Sequence, residues 1–195
     1  GLTRVEGDFY YDDTALPRLS ELNALQPVAV PYNPGLSGLN LNFNVVQLSW
    51  SNKGAVSGTA LSRSETLDVV ADAITFAPQT QAISKKIPFL LDREAQGSER
   101  WLLSPELPKK GQVRLPVRQP GLNAATIFRR LAAEQGIELA PPQPGIAPDE
   151  GPLLLQHESV SLEGAAKLIL RYSNNLSAEL IGLATALRLQ GWADD

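Results

Sequence analysis

Fifteen prolines are spread along this 195-residue chain, and they set the strongest limit on its fold. Proline has no backbone N–H to donate, so it breaks helix interiors and is confined to the edges of sheets. With fifteen glycines as well, the composition is unlike that of a helical bundle and is typical of a loop-rich protein that contains strands. Five of the prolines fall between positions 141 and 152, where we place a boundary.

The composition also excludes several function classes. The chain has no Cys and a single His, His157, which excludes disulfides, thiol catalysis and a metal site built from several histidines. The formal net charge is -4, and no run of Lys or Arg exceeds two residues, which argues against nucleic-acid binding. The apolar stretches are far shorter than the ~20 residues of a membrane span. We therefore predict no cofactor, no metal and no nucleic-acid partner.

Alternating apolar and polar residues predict strands in the first two thirds of the chain. Strands are expected at residues 2–11, 39–50, 55–61, 66–76, 100–103 and 112–117, with a turn at residues 52–54 and a short helix at residues 18–25. In the second of these strands, the apolar face is formed by Leu39, Leu41, Phe43 and Val45, and the polar face by Asn40, Asn42 and Asn44. Pro116 marks the last strand as an edge strand.

The last third of the chain predicts three helices and two short strands. The first helix covers residues 120–136, with Asn123 as its N-cap, Gly136 at its end, and an apolar stripe of Ile127, Phe128, Leu131 and Ala132. Short strands are expected at residues 137–140 and 153–157. Ser161 caps a second helix that ends at Tyr172. A third helix covers residues 176–190, with a core stripe of Leu180, Leu183, Ala184 and Leu187.

The segment Ser173-Asn174-Asn175 lies between the last two predicted helices and has two interpretations. Ser and Asn bond to local backbone and cap helices, so the segment can be a plain helix–helix connection. It can also be a Ser-x-Asn element of a serine acyl transferase, in which a hydroxyl and a carboxamide point from a rigid turn into one cleft. Spacing alone favours the plain connection.

The sequence around this segment resembles one protein family. Gln156-His157-Glu158-Ser159 is followed by Tyr172-Ser173-Asn174-Asn175-Leu176, and Pro31-Tyr32-Asn33 is followed by Ser37-Gly38-Leu39-Asn40-Leu41-Asn42-Phe43-Asn44. Residues 1–14 and 107–136 are similar to further segments of the same family. The chain therefore resembles the D-alanyl-D-alanine carboxypeptidase/endopeptidase family, the class C low-molecular-mass penicillin-binding proteins, over nearly its whole length.

The chemistry of that family uses three motifs: Ser-x-x-Lys, Ser-x-Asn and Lys-Thr-Gly. Only the second is present, because no Ser stands three residues before a Lys and no Lys precedes Thr-Gly or Ser-Gly. In the family the nucleophile lies upstream of a long insertion, and the Lys-Thr-Gly strand lies downstream of Ser-x-Asn. The chain also has no Met and begins with Gly1. We therefore expect an internal piece of a longer enzyme, with a signal peptide further upstream.

The resemblance implies a serine acyl-enzyme mechanism on peptidoglycan stem peptides that end in D-Ala-D-Ala, or on their cross-links. It assigns proton transfer to the leaving amine to Ser173 and a hydrogen bond with the substrate backbone to Asn175. β-Lactams would acylate the same upstream nucleophile. The expected location is periplasmic or otherwise extracytoplasmic, with peripheral membrane association of the parent left open. This piece alone is expected to be inactive without its missing flanking segments.

The predicted fold class is α+β, with β-rich inserted domains followed by a helical segment of the penicillin-binding transpeptidase-like domain. Residues 1–45 and 111–148 are predicted to form an inserted α+β domain. Residues 46–110 are predicted to be a small β module nested within it. Residues 149–195 are predicted to be the helical segment of the catalytic domain that carries the Ser-x-Asn turn.

Two other functions stay open at this stage. The chain could be a non-catalytic cell-wall binding or scaffolding module of the same fold, which the sequence flanking Gly1 and Asp195 would decide. An unrelated α+β hydrolase could use Asp12 and Asp13, although adjacent carboxylates after a strand more often initiate a turn. His157 could be a base, but we expect a half-buried, hydrogen-bonded residue at a strand end.

Overall fold

The computed structural model describes residues 2–51, 56–60, 69–78, 88–92, 98–148 and 151–193. In these ranges the chain forms nine strands and three α-helices, which confirms the predicted α+β class. In chain order they are β1 (Phe9–Tyr11), β2 (Val45–Trp50), β3 (Val56–Ala60), β4 (Val69–Val70), β5 (Ile74–Pro78), β6 (Phe89–Leu91), β7 (Glu99–Leu103), β8 (Gly111–Pro116), α1 (Pro120–Glu134), β9 (Pro142–Pro144), α2 (Leu162–Tyr172) and α3 (Asn175–Ala193). No helix within the described ranges is long and apolar enough to cross a membrane.

The strands form three sheets. The largest is antiparallel, with the order β4-β3-β2-β8, and β8 lies at its edge as Pro116 predicted. A second sheet has the order β5-β7-β6, and β1 pairs in parallel with β9. The two larger sheets share one hydrophobic core, formed mainly by Val46, Leu48, Leu115 and Val117 on one side and Ile74, Phe89, Trp101 and Leu103 on the other.

A buried guanidinium connects the irregular segment 20–33 to this core. Arg118 is only 6% exposed, and its Nη1 donates hydrogen bonds to the carbonyls of Ser20 (2.8 Å) and Asn33 (2.9 Å). Its Nη2 donates to the carbonyl of Val28, and the Glu21 carboxylate lies 3.7 Å from Nη1. A buried charge is tolerated only when it is paired and hydrogen-bonded, so these contacts fix the path of the segment.

The buried carboxylate of Glu99 lies on the other side of Arg118. It accepts hydrogen bonds from the Arg118 backbone N–H (2.6 Å) and from Nε1 of Trp101 (2.7 Å). Burial raises the pKa of the Glu99 carboxyl, while the two hydrogen bonds and the Arg118 charge act in the opposite direction. The sheet β5-β7-β6, which contains Glu99, is thereby connected through Arg118 to segment 20–33.

Asp12 and Asp13 have structural partners. The Asp12 carboxylate accepts hydrogen bonds from the backbone N–H (2.9 Å) and hydroxyl (2.6 Å) of Thr14, and from the N–H of Ala147 (2.8 Å). Asp13 is buried and accepts from Nε of Arg18 at 2.6 Å. Asp12 therefore forms the turn after β1 and anchors the Pro-rich segment beyond β9, which is the turn-forming role expected of such a pair.

Several predicted elements near the N-terminus are wrong. Residues 18–25 form turns and not a helix, because Leu19 pairs with Leu36 and the carbonyl of Ser20 accepts from Arg118. The strand predicted at residues 2–11 is reduced to β1 and a single bridge at Arg4. The turn predicted at residues 52–54 lies outside the described ranges.

The predicted faces of residues 39–50 are also wrong. The strand begins only at Val45, after a single 3-10 turn, Asn42–Asn44, in which all three residues have positive φ. This turn shifts the alternation by one residue. Consequently Val46 and Leu48 point into the core, Asn44 is fully buried and Phe43 is 44% exposed.

The structure confirms the predicted start of the first helix at Pro120 and its predicted stop at Gly136, but not its predicted N-cap. Gly136 has a φ of +77° just beyond α1, as a glycine stop requires. The N-cap is Gln119 and not Asn123, which lies buried inside the helix, because Pro120 suits the first helical position. In the apolar stripe Ile127 is buried, whereas Phe128 is exposed and packs against the Phe9 ring.

The helices α2 and α3 agree with the predictions, but the short strands predicted before them are wrong. Ser161 caps α2 by accepting a hydrogen bond from the Gly164 N–H. Residues 137–140 form one bridge, residues 153–157 form no strand, and His157 is exposed. The core stripe predicted on α3 is only partly covered, since the half-buried members are Leu180 and Leu183 and the exposed ones are Ala184 and Leu187. The exposed members of this stripe are not covered by other residues that the structure describes.

We expect Arg118→Met to lower the free energy of unfolding by about 3–5 kcal/mol, because it leaves three carbonyls without their donor and removes the positive charge beside the buried Glu99 carboxylate. Urea denaturation followed by tryptophan fluorescence measures this loss. The matched control is Arg114→Met on β8, an exposed position where we expect a change of about 0.5 kcal/mol or less. Equal losses in the two variants would contradict the role of Arg118.

We expect the Asp12 carboxyl to titrate with a pKa of about 2, because the hydrogen bonds from Ala147 and Thr14 favour its charged form. Since this folded-state pKa lies below the ~3.9 of an unfolded chain, the stabilising contribution is complete above about pH 4 and is lost as the pH falls through about 2. Carbon-13 NMR titration measures the value. Thr14→Val removes one donor and should raise this pKa; an ordinary value in the unsubstituted protein would show that the carboxylate bonds are absent.

Candidate active site

The Ser-x-Asn segment is a rigid turn between α2 and α3. Ser173 has a left-handed backbone (φ 49°, ψ 46°), and its N–H donates to the carbonyl of Ile169 at 2.7 Å, which closes α2. The side-chain Oδ1 of Asn174 accepts from the Ser177 N–H at 2.7 Å and so caps α3. Asn174 is therefore occupied in holding the turn, whereas the side chains of Ser173 and Asn175 are exposed.

Ser173 and Asn175 lie on one wall of a cleft with a volume of about 450 Å³. The turn and its helix ends provide one wall, and the segment 31–45 with β8 provides the other. The complete lining is Pro31, Tyr32, Pro34, Asn42, Phe43, Val45, Arg114, Tyr172, Ser173, Asn174, Asn175 and Leu176. The structure thus brings the two predicted site residues together with a segment that is about 130 to 140 positions away in the chain.

A side-chain contact connects the two walls. Nδ2 of Asn175 donates to the carbonyl of Tyr32 at 3.5 Å, which is at the outer limit of a hydrogen bond. The neighbouring side chain of Leu176 is 3% exposed and fixes the start of α3. The Asn175 carboxamide is therefore held near the opposite wall by a weak bond that a better partner can replace.

An asparagine network holds the segment 31–45 in place. Nδ2 of Asn44 donates to the carbonyl of Gly35 (2.8 Å) and to Oδ1 of Asn40 (2.7 Å), and its Oδ1 accepts from the Leu41 N–H (3.0 Å). The alternating sequence pattern assigned these asparagines to a solvent-facing strand surface. In the structure they instead form the hydrogen bonds to backbone groups that a helix or strand would otherwise form. In the sequence, the only sign of this role is the high density of asparagines in this segment.

The other candidates from the sequence do not lie at this cleft. Asp12, Asp13 and His157 are not among its lining residues, and Asp12 with a pKa of about 2 is ionised at neutral pH and unsuited to act as a general acid. Among the described residues, no group of three or more His, Asp or Glu side chains could hold a metal ion.

Comparisons with known proteins identify the family and the fold of this chain. A family model for D-Ala-D-Ala carboxypeptidase 3 (S13) matches residues 1–193. The crystal structure of penicillin-binding protein 4 (dacB) from Haemophilus influenzae superposes with a TM-score of 0.60 at 18% sequence identity. The match covers 91% of this chain but only 40% of that protein, so this chain spans less than half its length. A search of curated protein sequences finds no match.

The structural similarity at this level of identity establishes the fold, which is that of part of a penicillin-binding protein. The family model covers nearly every residue, including both walls of the cleft. This confirms the resemblance noted in the sequence: the chain belongs to the D-Ala-D-Ala carboxypeptidase 3 (S13) family.

Proposed function

We propose that this chain is part of a serine-type D-Ala-D-Ala carboxypeptidase/endopeptidase that acts on peptidoglycan stem peptides through an acyl-enzyme. Family membership supports the peptidase class. The observation that carries the proposal is the pair of exposed polar side chains, Ser173 and Asn175, on one wall of the cleft. The nucleophilic Ser-x-x-Lys and the Lys-Thr-Gly strand, absent from these 195 residues, are assigned to flanking segments of the same enzyme.

In the proposed reaction, the flanking Ser hydroxyl attacks the carbonyl carbon of the D-Ala-D-Ala bond, activated by its Lys. The C–N bond breaks, and the proton lost by the nucleophile passes to the amine of the departing D-Ala. Water then hydrolyses the ester and releases the shortened peptide. Ser173 serves the proton transfer because its hydroxyl is exposed at the cleft, beside a backbone fixed by α2.

Asn175 is proposed to orient the substrate backbone. Its carboxamide both donates and accepts hydrogen bonds, as the main chain of an extended peptide requires. The weak 3.5 Å bond to the Tyr32 carbonyl costs little to exchange for a substrate carbonyl. The positions of Ser173 and Asn175 in the rigid turn, with Asn174 used as a helix cap, would keep both groups at a constant separation.

Uncovered apolar surface supports the presence of further segments in the parent enzyme. Leu154, Leu162, Leu170 and Leu189 are between 55% and 92% exposed, and they belong to α2, α3 and the segment before them. Surface of this kind marks an interaction site when it is extensive. We propose that the flanking segments of the catalytic domain cover it. The division into residues 1–45 with 111–148, 46–110 and 149–195 stays part of this proposal, as do the extracytoplasmic location and β-lactam binding.

A fluorescent penicillin tests the proposed function. The full-length gene product should be labelled covalently, whereas the 195-residue chain alone should not, because it lacks the nucleophile. Labelling of the isolated chain would overturn the assignment of the nucleophile to flanking segments. A full-length product that lacks both missing motifs, stays unlabelled and sediments with purified peptidoglycan would instead support a non-catalytic binding module.

Substitution of either proposed site residue should slow acylation of the full-length protein. We expect Ser173→Ala and Asn175→Ala each to lower the acylation rate roughly 10²–10³-fold, as for loss of one transition-state partner. Stopped-flow absorbance with a chromogenic β-lactam measures this rate. The matched control is Asn174→Ser, which keeps a capping oxygen at the same turn and should leave the rate unchanged. Equal acylation rates in the unsubstituted protein and in all three variants would contradict the roles assigned to Ser173 and Asn175.

A further inference from the structure

Strained backbone is concentrated at the cleft. Among the residues that the structure describes, four non-glycine residues have positive φ: Asn42 (51°), Phe43 (57°), Asn44 (51°) and Ser173 (49°). Asn42, Phe43 and Ser173 line the cleft, and Asn44 is the last residue of the turn that contains Asn42 and Phe43. A bulky side chain such as that of Phe43 adopts this conformation at an energetic cost, whereas Asn tolerates it better. Left-handed backbone on both walls of one cleft indicates a functional site, because such strain persists only where the surrounding structure enforces it.

The turn Asn42–Asn44, which we call the left-handed turn, is held from behind by its last residue. The fully buried Asn44 side chain bonds to Gly35, Asn40 and Leu41, and its carbonyl accepts from the Val117 N–H at 2.8 Å. These bonds compensate for the strain and fix the direction in which the first two residues project. Asn44 itself has no access to the cleft.

The side chains that the left-handed turn presents are suited to binding. Phe43 is an aromatic residue that lies at the cleft and is 44% exposed. Its left-handed backbone is higher in energy than the extended backbone of a strand would be. Asn42 is half-buried at the same wall, and its carboxamide makes no hydrogen bond to any other described residue. An aromatic surface beside an uncommitted carboxamide can receive an apolar group and a peptide amide together.

We propose that the left-handed turn is a substrate-recognition element that faces the Ser-x-Asn turn across the cleft. Phe43 packs against an apolar part of the bound peptide, and Asn42 hydrogen-bonds its main chain from the side opposite Asn175. Asn44 is a positioning residue that holds the other two. This inference rests on the proposed function and names the residues that select the peptide portion of the substrate.

The test compares a peptide with a small β-lactam in the full-length protein. We expect Phe43→Ala and Asn42→Ala each to raise the KM for a D-Ala-D-Ala-terminated pentapeptide roughly tenfold with little change in kcat. The acylation rate by benzylpenicillin should change by less than about twofold, because this ligand lacks the extended peptide that reaches the left-handed turn. Phe43→Tyr, which keeps the aromatic surface, should restore the KM.

The matched control is Phe128→Ala, which removes an exposed aromatic ring that does not line the cleft and should leave both substrates unaffected. An unchanged peptide KM in Phe43→Ala and Asn42→Ala, with the unsubstituted protein active, would overturn the recognition role alone. Equal losses toward peptide and penicillin would also overturn it, because the turn would then affect the cleft as a whole. An unsubstituted full-length protein that neither binds penicillin nor cleaves the peptide would overturn the proposed function as well.

Discussion

The buried guanidinium of Arg118 is the constraint on which the rest of this structure depends. The segment 20–33 has no helix or strand, so the carbonyls that its own turns leave unpaired need partners from outside it. Arg118 provides them for three carbonyls at once, and one of these belongs to Asn33, next to Tyr32. The Tyr32 carbonyl is in turn the contact of Asn175. A buried charge in the core is thereby connected, through one short segment, to the geometry of the candidate active site.

Hydrogen bonds from asparagine side chains fix the backbone between the segment 20–33 and the cleft wall. Asn33 bonds to the backbone of Asn23 through both its carboxamide atoms, and Asn40 and Asn44 bond to each other and to the backbone between residues 35 and 41. A segment interrupted by Pro27, Pro31 and Pro34 cannot satisfy its backbone with a regular helix or strand. Side-chain amides, which carry both donors and acceptors, replace them and allow a strained turn to persist.

Local signals made part of the fold predictable from the sequence. The Ser161 cap, the Gly136 stop and the Ser173–Asn175 turn each depend on a few neighbouring residues, and the structure has all three. The helix predicted at residues 18–25 is wrong because the Ser20 carbonyl accepts from Arg118, about 100 positions away, and the Leu19 carbonyl accepts from the Leu36 N–H. The faces of residues 39–50 were mispredicted because three consecutive positive φ angles shift the alternation, which no periodicity reveals. The asparagines of the cleft wall were missed for the same reason.

We propose that the Ser-x-Asn turn and the segment 31–45 form one side of an acyl-enzyme site whose nucleophile lies elsewhere in the same enzyme. Mass-spectrometric mapping of the β-lactam adduct on the full-length protein tests it most directly. We expect a single acylated Ser, outside these 195 residues and followed three positions later by Lys. An adduct on a Ser within the 195 residues, or no adduct at saturating β-lactam, would contradict it.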